Sequence, residues 1–235
     1  MARRCWIVGN GKSLNRTPLE LLNEHNEMVY ACNQIHRLYD MGREFRPTHY
    51  VKTEGNDPDW IDQIILHLDM GIPCYIRSQD VPGVAWWLFE NRREWILPPN
   101  LRVVTLCQEH SGLDGIMVAP PRSWHLPGIC CYGGVVGAAM QIAANKGIEQ
   151  ICLVGCDLGY IPREKNAPGP DPNHFHPDYK EWDHIAPLLR NQVLEHMHLV
   201  AKHSADEMDV EIINAAVGGE LEIYPRRSIE EILWQ

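Results

Sequence analysis

No apolar run in this 235-residue chain approaches the length needed to cross a bilayer. The run 5–8 before Gly9 is also too short for the core of a secretory leader. Basic residues are scarce: 31 acidic side chains outnumber 21 basic ones, for a formal charge of −10. That balance argues against a nonspecific grip on nucleic acid, although Arg226-Arg227 leaves a local place for a phosphate. The Cys-x-x-Cys spacing is missing, which disfavours a zinc ribbon or a thioredoxin-type site. Several of the eight cysteines lie inside apolar, strand-like runs, where a thiol behaves as a small buried hydrophobe. Internal repeats, low-complexity linkers and breaks in composition are absent as well. These absences predict a single soluble domain over 1–235 in a reducing cytoplasm. Peripheral membrane contact and self-association stay open.

What is present alternates. Strand-like runs at 5–9, 28–32, 48–52, 73–76, 101–107, 150–154 and 211–214 are separated by helical patterns at 18–25, 35–41, 58–69, 84–95, 135–146 and 179–204. A last helix follows Ser228. Pro18 suits a first helical turn, and Pro187 is expected to bend the long helix. Strand–helix alternation predicts an α/β fold: a mostly parallel sheet of six or seven strands with helices on both faces. Trp86, Trp87, Phe89 and Trp95 read as core or a helix contact. The Gly- and Pro-containing stretches 108–129 and 159–178 read as substrate loops or a lid.

The most informative stretch is Gly9-Asn10-Gly11-Lys12-Ser13, directly after the first strand. Glycines there allow a sharp turn and close approach of a ligand. Ser13 or Asn15 is a candidate cap for the next helix, whose free amides would attract an anion. Two nucleotide motifs fail. A P-loop would have glycine where Trp6 stands, and the dinucleotide fingerprint would have a small residue at Leu14 and an acid at Cys32-Asn33. The strand ends gather a different set: Gly9, Asn10, Gly11, Ser13, Asn33, Gln34, Gly133, Gly134, Gly155 and Asp157. Carboxamides suit a nucleobase edge, a ribose hydroxyl or a phosphate oxygen. In open parallel sheets that rim is where ligands bind.

Twelve histidines raise the question of a metal. His174-x-His176-x-Asp178 alternates possible ligands, but spacing alone shows no convergence, and no metal is expected. A general base at His174 or His176 is the better reading, since imidazole titrates near neutrality. His196, His198 and His203 read as surface residues of the long helix.

The motifs Gly9-Asn10-Gly11-Lys12-Ser13-Leu14, Cys32-Asn33-Gln34 and Leu153-Val154-Gly155-Cys156-Asp157 together resemble the bacterial lipooligosaccharide sialyltransferases. Ile213-Asn214 with Gly218-Gly219 resembles the wider sialyltransferase-like group, which includes 6-hydroxymethylpterin pyrophosphokinases. The resemblance implies a Rossmann-like, glycosyltransferase A-like domain. It also implies a CMP-activated sugar donor, a glycan acceptor and an inverting transfer that needs no cofactor or metal. By position it places Asn10 and Asn33 on the nucleotide and Gly133-Gly134 near the donor. It places Tyr160 on the leaving phosphate with Tyr179 a second candidate, and makes a histidine the base: His174, His176 or His184. The chain departs from the family where Lys12 replaces a proline and where Tyr132-Gly133 replace a small hydroxyl residue. Two alternatives remain: a pterin pyrophosphokinase using ATP and Mg²⁺ held by Asp157 and Asp178, and a module that binds a nucleotide or sugar without turnover.

Overall fold

The computed structural model describes residues 3–53, 59–105, 124, 128–129, 134–161, 169–179 and 187–235. Gly133, His184 and most of 108–129 lie outside these residues. Seven strands form one parallel sheet: β1 (Arg4–Val8), β2 (Val29–Cys32), β3 (His49–Lys52), β4 (Cys74–Arg77), β5 (Leu101–Val104), β6 (Gln150–Val154) and β7 (Glu211–Asn214). Their order is β5-β4-β3-β2-β1-β6-β7. Parallel neighbours need crossovers, and the helices supply them. The helices are α1 (Glu20–Glu24), α2 (Arg37–Asp40), α3 (Trp60–Asp69), α4 (Val81–Arg92), α5 (Val135–Asn145), α6 (Pro187–Glu207) and α7 (Ile229–Leu233).

Alternation along the strands sends side chains into two separate cores. Trp6 and Val8 join Leu22, Leu38, Ile64, Leu88 and Ile232 on one face. Cys5 and Ile7 join Ala138, Ala143, Ala201 and Ala205 on the other. A sheet covered on both faces carries near-continuous apolar strands, as here. Small residues in α5 let it lie against β1, β2 and β3. Helix α7 opens on a reciprocal cap, in which Ser228 accepts from the Glu231 amide while Glu231 reaches back to the Ser228 amide.

The sheet turns direction between β1 and β6. The chain first builds outward from β1 through β5, then returns to add β6 and β7 on the other side. Both turns that follow the central pair, 9–11 and 155–157, therefore open into one crevice at the carboxyl rim.

Several expectations change. Ser13 and Asn15 cap no helix. They lie inside a short 3-10 turn, Lys12–Arg16, whose cap position is Gly11 and in which the Ser13 amide finds Asp157 instead. The described part of the long helix starts at Pro187 and runs past Ser204 to Glu207, and 180–186 lie outside the described residues. Helix α4 ends at Arg92 because Arg93 turns left-handed (φ 59°), so Trp95 is off the helix. Trp95 is 78% exposed and Trp86 63% exposed, against the core reading. The buried line of α4 is Val84 and Leu88, and Trp86 falls on its other side. His198 is not a surface residue: it is 3% exposed, on the face of α6 that also buries Met197 and Ala201. Among the described residues no helix is long and apolar enough to cross a membrane.

Candidate active site at the sheet switch point

A cavity of about 470 Å³ opens at the β1–β6 crevice, within the usual range for small-molecule sites. Asn10, from the turn after β1, and Asn33, from the turn after β2, both line it. Asn10 Nδ2 donates to the carbonyl of Cys32 at 3.0 Å, which ties the two asparagine turns together. Asn10 Oδ1 is buried with no partner among the described residues. Asn33 sits in the left-handed region (φ 49°), which carboxamides tolerate better than most side chains. Buried Lys52 donates to Asn33 Oδ1 at 3.3 Å, and this fixes the amide orientation. Tyr50 donates to the Asn33 carbonyl at 2.8 Å.

The glycines of the motif make a different approach from the one expected. A Cβ on Gly9 would lie 2.4 Å from the Gly155 carbonyl oxygen, and one on Gly11 would lie 2.5 Å from the Asp157 carboxylate. The Gly9 amide donates to Val154 at 2.9 Å and the Gly11 amide to Gly155 at 2.8 Å. Their bareness serves the packing of one turn on the other. Gly134 does the same between helices: a Cβ there would meet Met197 Sδ at 2.9 Å. Asp157 accepts from the Ser13 amide at 2.8 Å and from the Ser13 hydroxyl at 2.5 Å. The amide expected to face an external anion thus faces a carboxylate of the chain itself.

The loop after β6 folds back over this turn. Gly11 and His174 form an antiparallel bridge, and the Phe175 amide donates to the Asn10 carbonyl at 3.1 Å. His174 is thereby held at the cavity wall, 5% exposed. Its Nδ1 lies 3.1 Å from Asp171 Oδ2 and its Nε2 lies 3.2 Å from the Tyr160 hydroxyl. Tyr179 stacks flat on the imidazole, with centroids 3.9 Å apart. Burial alone would raise the Asp171 carboxyl. The His174 side chain and the amides of Asn173 and His174 outweigh it and hold Asp171 below its ordinary value.

Of the residues expected from sequence, the cavity brings together Gly9, Asn10, Gly11, Ser13, Asn33, Gly134, Gly155, Asp157, Tyr160, His174 and Tyr179. Gln34 does not line it. It is buried and accepts from Arg37 at 2.6 Å. His176 does not line it either, and its Nδ1 accepts from the Asp178 amide at 3.1 Å. His174 and His176 therefore face different partners, and among the described residues no three metal-ligating side chains converge. Cys156 lines the cavity, but burial pushes its thiol up to about 12, which removes it as a nucleophile. Sequence reading missed Lys12, Arg16, Arg190 and His198 on the wall and Asp171 behind it. Basic side chains near Gly-Asn-Gly were a usable signal, whereas Asp171 left none.

A parallel sheet with a carboxyl-rim cavity at its switch point defines a Rossmann-type α/β protein. Among solved structures the chain is similar to the MAf glycosyltransferase from Magnetospirillum magneticum AMB-1, with a TM-score of 0.53 and 17% identity. The likeness covers 97% of this chain and 34% of that one, so the chain spans about a third of that protein, and what it establishes is a glycosyltransferase-like fold. No family model and no curated protein matches the sequence.

Proposed function

We propose that the chain transfers a sugar from a CMP-activated donor, of the sialic acid type, to a glycan hydroxyl with inversion at the anomeric carbon. The observation that carries this is the meeting of Asn10 and Asn33 over one cavity, with an unmet Asn10 oxygen beside it. A buried acceptor without a partner costs about 1–3 kcal/mol, which suits a site completed by its ligand. The likeness in fold to the MAf glycosyltransferase supports sugar transfer, and the resemblance to the lipooligosaccharide sialyltransferases supports the CMP-activated donor.

The chemistry assigns the side chains as follows. Asn10 and Asn33 hold the nucleotide. Lys12, Arg16 and Arg190, all on the cavity wall, supply positive field for the phosphate. The acceptor hydroxyl attacks the anomeric carbon as the bond to the phosphate oxygen breaks, and the phosphate leaves with the electron pair. The hydroxyl proton passes to the Tyr160 oxygen while Tyr160 gives its own proton to His174 Nε2. Asp171 fixes the His174 ring and stabilises the imidazolium that results. Tyr179 holds the ring in plane by stacking.

The pyrophosphokinase reading needs carboxylates for Mg²⁺. Asp157 has both oxygens engaged by Ser13, and Asp178 does not line the cavity, so the sugar-transfer reading is the better supported. Thermal shifts with CMP, CDP, UDP and ATP, each with and without Mg²⁺, test the choice. A metal-free CMP shift is the expected result. An ATP shift that requires Mg²⁺ points to the kinase, and tight binding without transfer to any acceptor points to a binding module.

A further inference from the structure

We propose that His198 reads the sugar: its imidazole is locked with the proton on Nδ1, and Nε2 accepts a hydrogen bond from a hydroxyl of the bound donor sugar. This rests on the reading of the cavity as a sugar-nucleotide site. His198 lines that cavity from α6, beside Leu194 and Met197. Tyr224 donates to the His198 carbonyl at 2.9 Å, and the same phenol oxygen lies 3.2 Å from His198 Nδ1. A phenol has one proton, and the shorter contact takes it. The Nδ1 contact then requires the ring to donate, so Nδ1 carries the hydrogen. Burial pushes the imidazole down to about 4, so the ring holds no second proton at neutral pH. Nε2 has no partner among the described residues. His174, by contrast, has both nitrogens engaged.

Topology sets which part of the ligand meets His198. Asn33 follows β2, on one side of β1. Tyr224 stands beside β7, where the next residue, Pro225, accepts from the Asn214 amide at 2.9 Å. Strands β2 and β7 lie on opposite sides of the β1–β6 pair. A nucleotide held by Asn10 and Asn33 therefore extends its sugar toward His198. An acceptor-only nitrogen on the cavity wall selects for a donor group and penalises its absence, the arrangement that gives strong discrimination between a hydroxyl and a deoxy analogue.

The test uses the whole chain with ¹⁵N-labelled imidazoles and long-range ¹H–¹⁵N spectra at pH 7, with CMP and CMP-sialic acid as probes. The histidine signal missing from His198→Gln should show the Nδ1–H tautomer. Its bare Nε2 resonance should move on adding CMP-sialic acid and stay with CMP. Affinity for CMP-sialic acid should fall about tenfold in His198→Phe, the scale of one lost buried partner, with CMP affinity unchanged. His198→Gln, whose amide oxygen still accepts, should recover most of it. Tyr224→Phe, which keeps the ring and removes the lock, should shift the tautomer toward Nε2–H and weaken only the sugar-bearing probe. An Nε2–H tautomer or an imidazolium in the free protein overturns the inference. So does CMP-sialic acid binding with the His198 signal unmoved, which leaves the donor reading standing. If CMP, CMP-sialic acid and a panel of UDP- and GDP-sugars all fail to bind, the donor reading falls and takes the inference with it.

Discussion

Asp157, in the turn after β6, accepts two hydrogen bonds from Ser13, from its amide at 2.8 Å and its hydroxyl at 2.5 Å. The contact joins the two turns of the central crevice, and both residues line the cavity. Replacing the carboxylate leaves a largely buried amide and hydroxyl unmet, so Asp157→Ala should lower unfolding stability by ~1–3 kcal/mol. Urea titration measures this. Ser13→Ala should lose less, because the amide contact survives. Equal stability of wild type and Asp157→Ala would show that the clasp is idle.

Asp171 is assigned to positioning, through its 3.1 Å contact with His174 Nδ1. Asp171→Asn should therefore lower turnover, with donor affinity within about twofold, since only a transition-state role is removed. His174→Ala should lower turnover further and again spare affinity. Steady-state kinetics beside calorimetry separate the two quantities. A parallel loss of affinity would place these residues on the ground-state ligand instead.

The depressed Asp171 carboxyl also has a stability signature. Its folded value lies below the unfolded one, so its contribution is complete above about 4, the usual aspartate value. It is lost as pH falls through the folded value. The advantage of wild type over Asp171→Asn in urea midpoint should shrink below pH 4 and stay flat above pH 5. A gap that widens toward acid would reverse the sign.

Buried imidazoles act in the other direction. Burial pushes His67 and His198 down to about 4, whereas an unfolded histidine titrates near 6.5. As pH falls from about 6.5 toward 4, the unfolded chain takes protons that the folded chain refuses, so stability falls in this window. His67→Gln should flatten the slope by about one proton. A slope unchanged by that substitution would show that His67 takes up its proton alike in the folded and unfolded states.

The sheet was legible because its signals are local. Apolar runs such as Cys5–Val8 and Ile151–Val154 mark strands buried on both faces, and Gly147, left-handed at φ 76°, marks the end of a helix. The meeting of Asn10 and Asn33 was legible too, since both follow strands of one parallel sheet. The clasp of Asp157 on Ser13 was not, because the partners are 144 residues apart and each looked poised for an outside ligand. Gly9 and Gly11 were read as room for a ligand, and that room is filled by the neighbouring turn. Asp171 sits in a proline-rich loop with no periodicity, and its role appears only once Gly11 bridges His174. His198 looked like one more helical surface histidine, because Tyr224, which engages its Nδ1, lies 26 residues on.

The central claim is that a nucleotide rests across the two asparagine turns. Isothermal calorimetry with CMP in EDTA, on wild type and Asn33→Ala, tests it most directly. The account predicts metal-free binding by wild type and a loss of ~1–3 kcal/mol in the variant, both measured well below the variant's melting temperature, because Asn33→Ala also removes the acceptor of buried Lys52. An identical dissociation constant in the two proteins would contradict it.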